Sequence, residues 1–133
     1  MYTFTHKLRI RYGETDQMGY CYYGNYAQFF EIGRVETLRE LGISYKALEE
    51  SGIMLPVAEM TVKYIKPTFY DDLISIKTTI SKTPSVKIEF NYEIFNEKNE
   101  LLTTAYTKLV FVNKENMKPT YCPEALLEKF KAL

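Results

Sequence analysis

The stretch from Arg11 to Tyr26 reads RYGETDQMGYCYYGNY, and its acid Asp16 sits among glycines, tyrosines and a cysteine. A carboxylate placed where a strand runs into a helix can attack an acyl carbon itself, or deprotonate a water that does so. The start of the helix meets the second need of acyl transfer: unpaired N–H groups and a positive dipole end for a developing oxyanion. Gly24, at that start, lets backbone approach a ligand closely. Aspartate in an E-T-D loop is also a good turn former, so by residue type alone Asp16 serves either purpose. Cys21 lies beside it, but nothing near it in the sequence would depress its pKa, which argues against a nucleophilic thiol. The single histidine, His6, sits in mid-strand and reads as structural.

The rest of the chain supplies no competing chemistry. Cys21 and Cys122 form no CxxC, and with His6 they occupy three distant places, so a zinc site is not expected. There is no GxGxxG or Walker-type loop, and no cofactor is expected. The formal net charge is +0, which gives no global attraction to nucleic acid or membrane. Hydrophobic residues make up 46% and charged residues 26%, a folded globular balance. A length of 133 residues predicts one domain, 1–133. Twelve Tyr and eight Phe suit strands and apolar pockets. No export signal is legible and no run approaches the roughly 18 apolar residues of a membrane span. A cytoplasmic protein with reduced thiols is the expectation.

Before the loop, Tyr2, Phe4, His6, Leu8, Ile10 and Tyr12 alternate with Thr and basic residues, predicting a strand with one buried face. Asn25, a predicted N-cap, precedes a long helix that Gly42 stops. Its apolar stripe is Tyr26, Phe29, Phe30, Gly33, Leu38 and Leu41, widened by Ile32 and Val35. Gly33 costs about 1 kcal/mol against Ala in a helix interior, so close approach of a strand is expected there. A short helix from Ser44 to Glu50 follows. Period two then returns in strands at Ala58–Tyr64, Ile74–Ile80, Val86–Ile94 and Leu101–Val112, and Pro123 opens a short terminal helix. One helix followed by runs of strands predicts an α+β fold with a five-stranded antiparallel sheet wrapped around the long helix. The far face of that sheet is expected to carry Leu, Val, Phe and Tyr, a surplus that suggests oligomerisation.

The pattern Y-x-E-T-D-x-x-G-x-x-Y-Y-x-N-Y (Tyr12 to Tyr26) between strand and long helix resembles the hotdog-fold acyl-CoA thioesterases of the 4-hydroxybenzoyl-CoA thioesterase type, a group that includes the bacterial Tol-Pal-associated branch. VKYIKPTFYDDLISIKT (Val62 to Thr78) resembles the same family's Y-x-x-P-x-x-x-D-D segment. The resemblance spans nearly the whole chain and is strongest from Arg11 to Gly42.

The resemblance implies a hotdog fold and hydrolysis of an acyl-CoA to a free acid and CoA. It puts Asp16 on the catalytic carboxylate, as nucleophile or general base. It puts Tyr23 where one branch has tyrosine and the Tol-Pal branch has histidine, with the Tyr23 backbone N–H polarising the thioester carbonyl. The missing histidine counts against an Asp-His pair and for a carboxylate working with backbone donors. Glu31 falls at a helix position that faces the acyl pocket in some members, although it also reads as an exposed or interface acid. The phosphates of CoA call for lysines at the pocket mouth. Lys63, Lys66, Lys82 and Lys87 are the candidates, with Ser85 as a donor; each also reads as solvated surface. Tyr20, Tyr22 and Tyr26 read as packing or interface residues. The pocket is expected between subunits of a homo-oligomer, a tetramer of hotdog dimers. The competing functions are a non-catalytic acyl-CoA binder, disfavoured by Asp16, and a hotdog dehydratase or hydratase, disfavoured because His6 is in the wrong element.

Overall fold

The computed structural model describes residues 1–133. In chain order the elements are β1 (Tyr2–Arg9), α1 (Tyr26–Glu40), α2 (Tyr45–Glu50), β2 (Ile53–Met54), β3 (Val57–Tyr64), β4 (Leu73–Ile80), β5 (Lys87–Phe95), β6 (Leu101–Val110), β7 (Val112–Asn113) and α3 (Glu124–Lys131). The strands β1-β4-β5-β6-β3 form one antiparallel sheet in that order, and α1 packs across β1, β4 and β5. This is the hotdog architecture that the resemblance implies. The short pair β2–β7 has no counterpart in the sequence reading, which runs the last strand through to Val112.

The alternation in β1 holds from Tyr2 to Arg9 and stops there, three residues before Tyr12. Buried Ile10 gives its N–H to the Asp72 carbonyl and accepts from the Asp71 N–H, both at 2.9 Å. The chain then turns through a 3-10 turn, Tyr12–Glu14, and Tyr12 ends up exposed.

The start of α1 also differs from expectation. Asn25 does not cap it: Asn25 has helical backbone angles, and its Nδ2 donates to the Glu14 carbonyl at 2.8 Å. A 3-10 turn, Tyr23–Asn25, leads into the helix instead. At the other end Gly42 takes φ +97°, with its N–H on the Arg39 carbonyl and the Ile43 N–H on the Leu38 carbonyl. That is a Schellman stop, which the glycine makes inexpensive.

The buried face of α1 is Tyr26, Phe29, Phe30, Gly33, Arg34, Thr37 and Leu38. Ile32 is exposed and does not widen the stripe. Arg34, only 7% exposed, was not anticipated; its Nε donates to the Tyr45 hydroxyl at 3.2 Å, tying α1 to α2. Gly33 has the close approach expected of it. A Cβ there would lie 2.7 Å from Thr78 Oγ1 and 2.9 Å from Ile76 Cγ2.

Under the helix lie Ile74, Ile76, Thr78 and Ile80 of β4 and Ile88, Phe90, Tyr92 and Ile94 of β5, all buried. Burial of each large apolar side chain contributes about 1.5–3 kcal/mol. The far face is polar, contrary to the expected surplus of Leu, Val, Phe and Tyr. Alternation places Thr5, Lys7, Lys77, Glu93, Glu89 and Lys108 there, with Tyr106 donating to Glu89 Oε2 at 2.6 Å. That hydroxyl, with Lys82, Lys87 and Lys108 around it, holds the Glu89 carboxyl below its usual range. The exposed apolar surface sits elsewhere, on edge strand β3 (Val57, Met60, Tyr64) and on the Asp16 loop (Met18, Tyr20, Tyr22, Tyr23).

Candidate active site

The Asp16 loop closes on itself before it meets anything else. Asp16 N–H donates to the Tyr20 carbonyl at 2.8 Å. Its Oδ1 accepts from the N–H groups of Met18 (2.9 Å) and Tyr20 (3.2 Å). Gly19, at φ +81°, supplies the left-handed residue that this tight turn requires. The turn therefore takes up one carboxylate oxygen and leaves Oδ2 without a hydrogen bond on a half-buried side chain.

Around Asp16 is a cleft of about 240 Å³. The loop contributes Met18, Tyr20, Cys21 and Tyr23; Tyr26 comes from the first turn of α1; Tyr64 to Pro67 close the other side. The aromatic walls interlock, with Tyr26 and Tyr64 at 5.0 Å and 89°, and Tyr23 and Tyr64 at 6.4 Å and 84°. Such edge-to-face pairs add about 0.5–1.5 kcal/mol beyond their burial. The Tyr64 hydroxyl donates to the Tyr23 carbonyl at 3.4 Å.

The helix entry adds donors. Tyr22 N–H is used by the Glu14 carbonyl and Asn25 N–H by the Tyr22 carbonyl, but the N–H groups of Tyr23 and Gly24 make no backbone hydrogen bond. They are the free donors of the turn that opens α1. Burial pushes the Cys21 thiol up to about 11, with Glu14 adding to it, so it stays protonated at neutral pH and is no nucleophile. His6 lies on β1 opposite Ile76, outside the cleft.

A larger groove, about 400 Å³, lies beyond Lys66 and Pro67. Two of its acids are occupied: Asp72 Oδ2 by Thr68 and Phe69, and Glu100 by Lys66 and Asn96. The groove holds neither Asp16 nor a residue of the helix entry.

The cleft thus brings together Asp16, Tyr23 and Lys66 of the residues singled out in the sequence. Lys66 Nζ is paired with Glu100 Oε2 at 2.6 Å. Gly24 is not in the cleft wall, and the space above it is filled: a Cβ would collide with the Tyr22 ring. Glu31 and Lys63 are exposed and outside the wall. Lys82, Ser85 and Lys87 sit at the far end of the sheet. Tyr64 pairs with Thr103 and Lys87 with Val110, at opposite ends of β6, roughly 20 Å apart at ~3.3 Å per residue. Met18, Tyr64, Ile65 and Pro67 were missed as wall residues. The Tyr64–Pro67 spacing was visible, but only the sheet order carries it to the helix entry.

A five-stranded antiparallel sheet wrapped on one long helix defines the fold class, a hotdog, and the relatives define the enzyme class, a thioester hydrolase. The chain belongs to the thioesterase-like superfamily, whose family model matches residues 10–130. It is 34% identical over 119 residues to the putative acyl-CoA thioesterase YneP of Bacillus subtilis, covering 90% of this chain and 86% of that protein. It is 34% identical over 128 residues to the acyl-CoA thioester hydrolase YbgC of Escherichia coli, covering 96% of each. Among solved structures, a DHNA-CoA thioesterase from Staphylococcus aureus superposes with a TM-score of 0.94 at 36% identity, covering 99% of this chain and 91% of that one.

Proposed function

We propose that this protein hydrolyses an acyl-CoA to a carboxylic acid and CoA, with Asp16 as the reacting carboxylate. The observation that carries this reading is Asp16, which lines an apolar cleft with Tyr23 and keeps one carboxylate oxygen, Oδ2, free of hydrogen bonds. The thioester carbonyl oxygen is polarised by the unpaired N–H of Tyr23, the donor of the helix entry whose residue lines the cleft. Asp16 then either attacks the carbonyl carbon, giving an acyl-enzyme anhydride and CoA thiolate, or takes a proton from an attacking water. In the first route water hydrolyses the anhydride; in the second the tetrahedral intermediate expels the thiolate directly. Single turnover in ¹⁸O-water tests the first route: label on the Asp16 carboxylate requires an anhydride opened by water at the aspartyl carbonyl, whereas the second route puts all of the label in the product acid.

The cleft is walled mainly by tyrosines and other apolar side chains, which suit aryl and aliphatic acyl groups alike. A hydrolysis screen over short, long and aryl acyl-CoAs, reading released thiol, tests the proposal. The expected result is thiol release from at least one of these classes. Binding with no thiol release would make the protein a non-catalytic acyl-CoA binder and end the proposal.

The active form proposed is a cytoplasmic homo-oligomer, a tetramer of hotdog dimers, each chain one hotdog domain. Its support is β3, which pairs only with β6 and leaves its other edge and the side chains of Val57 and Met60 exposed beside the cleft-lining Tyr64. Such an edge pairs readily with another strand. In such an assembly Lys82, Ser85 and Lys87 serve CoA bound at a neighbouring subunit's cleft, because they lie too far from their own. Lys66, in the cleft wall, contributes from the chain's own side. Lysine at both Val57 and Met60 is expected to give monomers of low activity by light scattering and thiol release. Fully active monomers would refute the shared pocket.

A further inference from the structure

We propose that Asp72 is a positioning residue for Asp16, acting through the turn from Thr68 to Asp72; this rests on the proposed role of Asp16. One carboxylate oxygen, Asp72 Oδ2, accepts both the Thr68 hydroxyl at 2.9 Å and the Phe69 N–H at 2.8 Å. Thr68 is 1% exposed, so water does not replace that bond. Between them Asp71 takes φ +70°, a left-handed conformation that a side chain disfavours. The Asp72 carboxylate ties this turn across that residue together with one backbone bond, Asp72 N–H to the Phe69 carbonyl at 3.1 Å.

The turn in its turn grips the Asp16 loop at both ends. Where the loop begins, Ile10 exchanges two backbone bonds with Asp71 and Asp72, each 2.9 Å. Where it ends, Cys21 N–H donates to the Thr68 carbonyl at 2.8 Å, and Tyr20 bridges to Phe69 with ring centroids 5.5 Å apart. Tyr20 is the residue whose N–H and carbonyl hold Asp16. The chain of contact therefore runs from Asp72 Oδ2 through Thr68 and Phe69 to Cys21 and Tyr20, and from there to Asp16. A reacting group displaced by about 1 Å loses on the order of a hundredfold in rate, so a turn that fixes the loop fixes kcat.

An aspartate that only braced a surface turn would change stability and leave the turnover of folded enzyme intact. Asp72→Ala, Asp72→Asn and Thr68→Val separate the two roles. Asp72→Ala is expected to lower kcat by roughly tenfold or more with KM within about twofold. It is also expected to speed amide exchange at Tyr20 and Cys21. Asp72→Asn keeps an oxygen in place to accept both bonds and is expected to recover most of the rate; Thr68→Val removes one bond and falls between. A folded Asp72→Ala enzyme with wild-type kcat and unchanged exchange would overturn the proposal, as would an asparagine variant as damaged as the alanine. If Asp72→Ala does not fold, Thr68→Val bears the same readouts. If the wild-type protein releases no thiol from any acyl-CoA, the reading of Asp16 has failed, and unchanged exchange at Tyr20 and Cys21 then overturns the Asp72 proposal by itself.

Discussion

Asp16 and Tyr20 hold each other twice: the Asp16 N–H donates to the Tyr20 carbonyl at 2.8 Å, and the Tyr20 N–H donates to Asp16 Oδ1 at 3.2 Å. An asparagine oxygen makes the same acceptor. Asp16→Asn should therefore keep fold and assembly while losing at least about a hundredfold in kcat, roughly 3 kcal/mol of barrier. Circular dichroism and thiol release on the best substrate check both halves. A fully active Asp16→Asn enzyme would make the aspartate a turn residue only.

Tyr23→Phe tests which part of Tyr23 matters. The side chain is 65% exposed, while the N–H is one of two unpaired donors at the helix entry. Removing the hydroxyl leaves that donor in place, so the expected loss is under ~1 kcal/mol of barrier, less than tenfold in kcat/KM. A phenylalanine variant as inactive as Asp16→Asn would move the role to the phenol, in the place where the related branch has histidine.

The contact between Gly33 and β4 gives a stability prediction. Gly33→Ala gains about 1 kcal/mol of helix propensity but drives a methyl against Thr78 Oγ1 and Ile76 Cγ2. Overpacking of this kind costs about 1–3 kcal/mol, so net destabilisation is expected in urea unfolding. Thr78 Oγ1 is buried without a hydrogen bond and is the nearest obstacle. In a Thr78→Ala background the cost of Gly33→Ala should shrink, and an additive double-mutant cycle would refute the clash.

Alkaline pH should weaken the fold through its buried acids. Burial pushes the Cys21 and Cys122 thiols from an ordinary 9.0 up to about 11, with Glu14 and Glu124 adding to it. Burial likewise pushes Tyr26 and Tyr45 from 10.0 up to about 12. The folded chain keeps protons that the unfolded chain gives up. This stability is present in full below the unfolded values and is lost as pH rises from 9.0 through about 11 for the thiols. The tyrosines extend the loss to about 12. Urea midpoints across this range should fall, and a double alanine variant of Cys21 and Cys122 should flatten the lower part. A midpoint that is level with pH would contradict the burial of these groups.

The sequence placed Asp16, the strand before it and the helix after it, because each is local: period two, a turn, then an apolar helical stripe. It could not place Tyr64, Ile65 and Pro67 in the same cleft, since that depends on β3 being the far edge of the sheet. The polar far face was misread for a related reason. Leu101 to Val112 looks apolar on both sides, but Phe111 and Val112 leave the sheet, and the β6 side chains facing outward include Thr104, Tyr106 and Lys108. Arg34 escaped notice because a charged residue on an apolar stripe reads as solvent-facing until Tyr45 folds over it.

Gly33 lets α1 lie flush on β4, so the helix has no slack with which to widen or narrow the chamber at its own N-terminus. Yet Met18 and Ile65, which wall that chamber, are exposed in the chain and belong to none of its aromatic pairs. Substitutions at such positions usually change folding stability by less than about 0.5 kcal/mol. Adaptation to a new acyl group therefore has a short route through neutral intermediates: the lineage can exchange wall residues one at a time while the helix and sheet beneath them stay under unchanged selection.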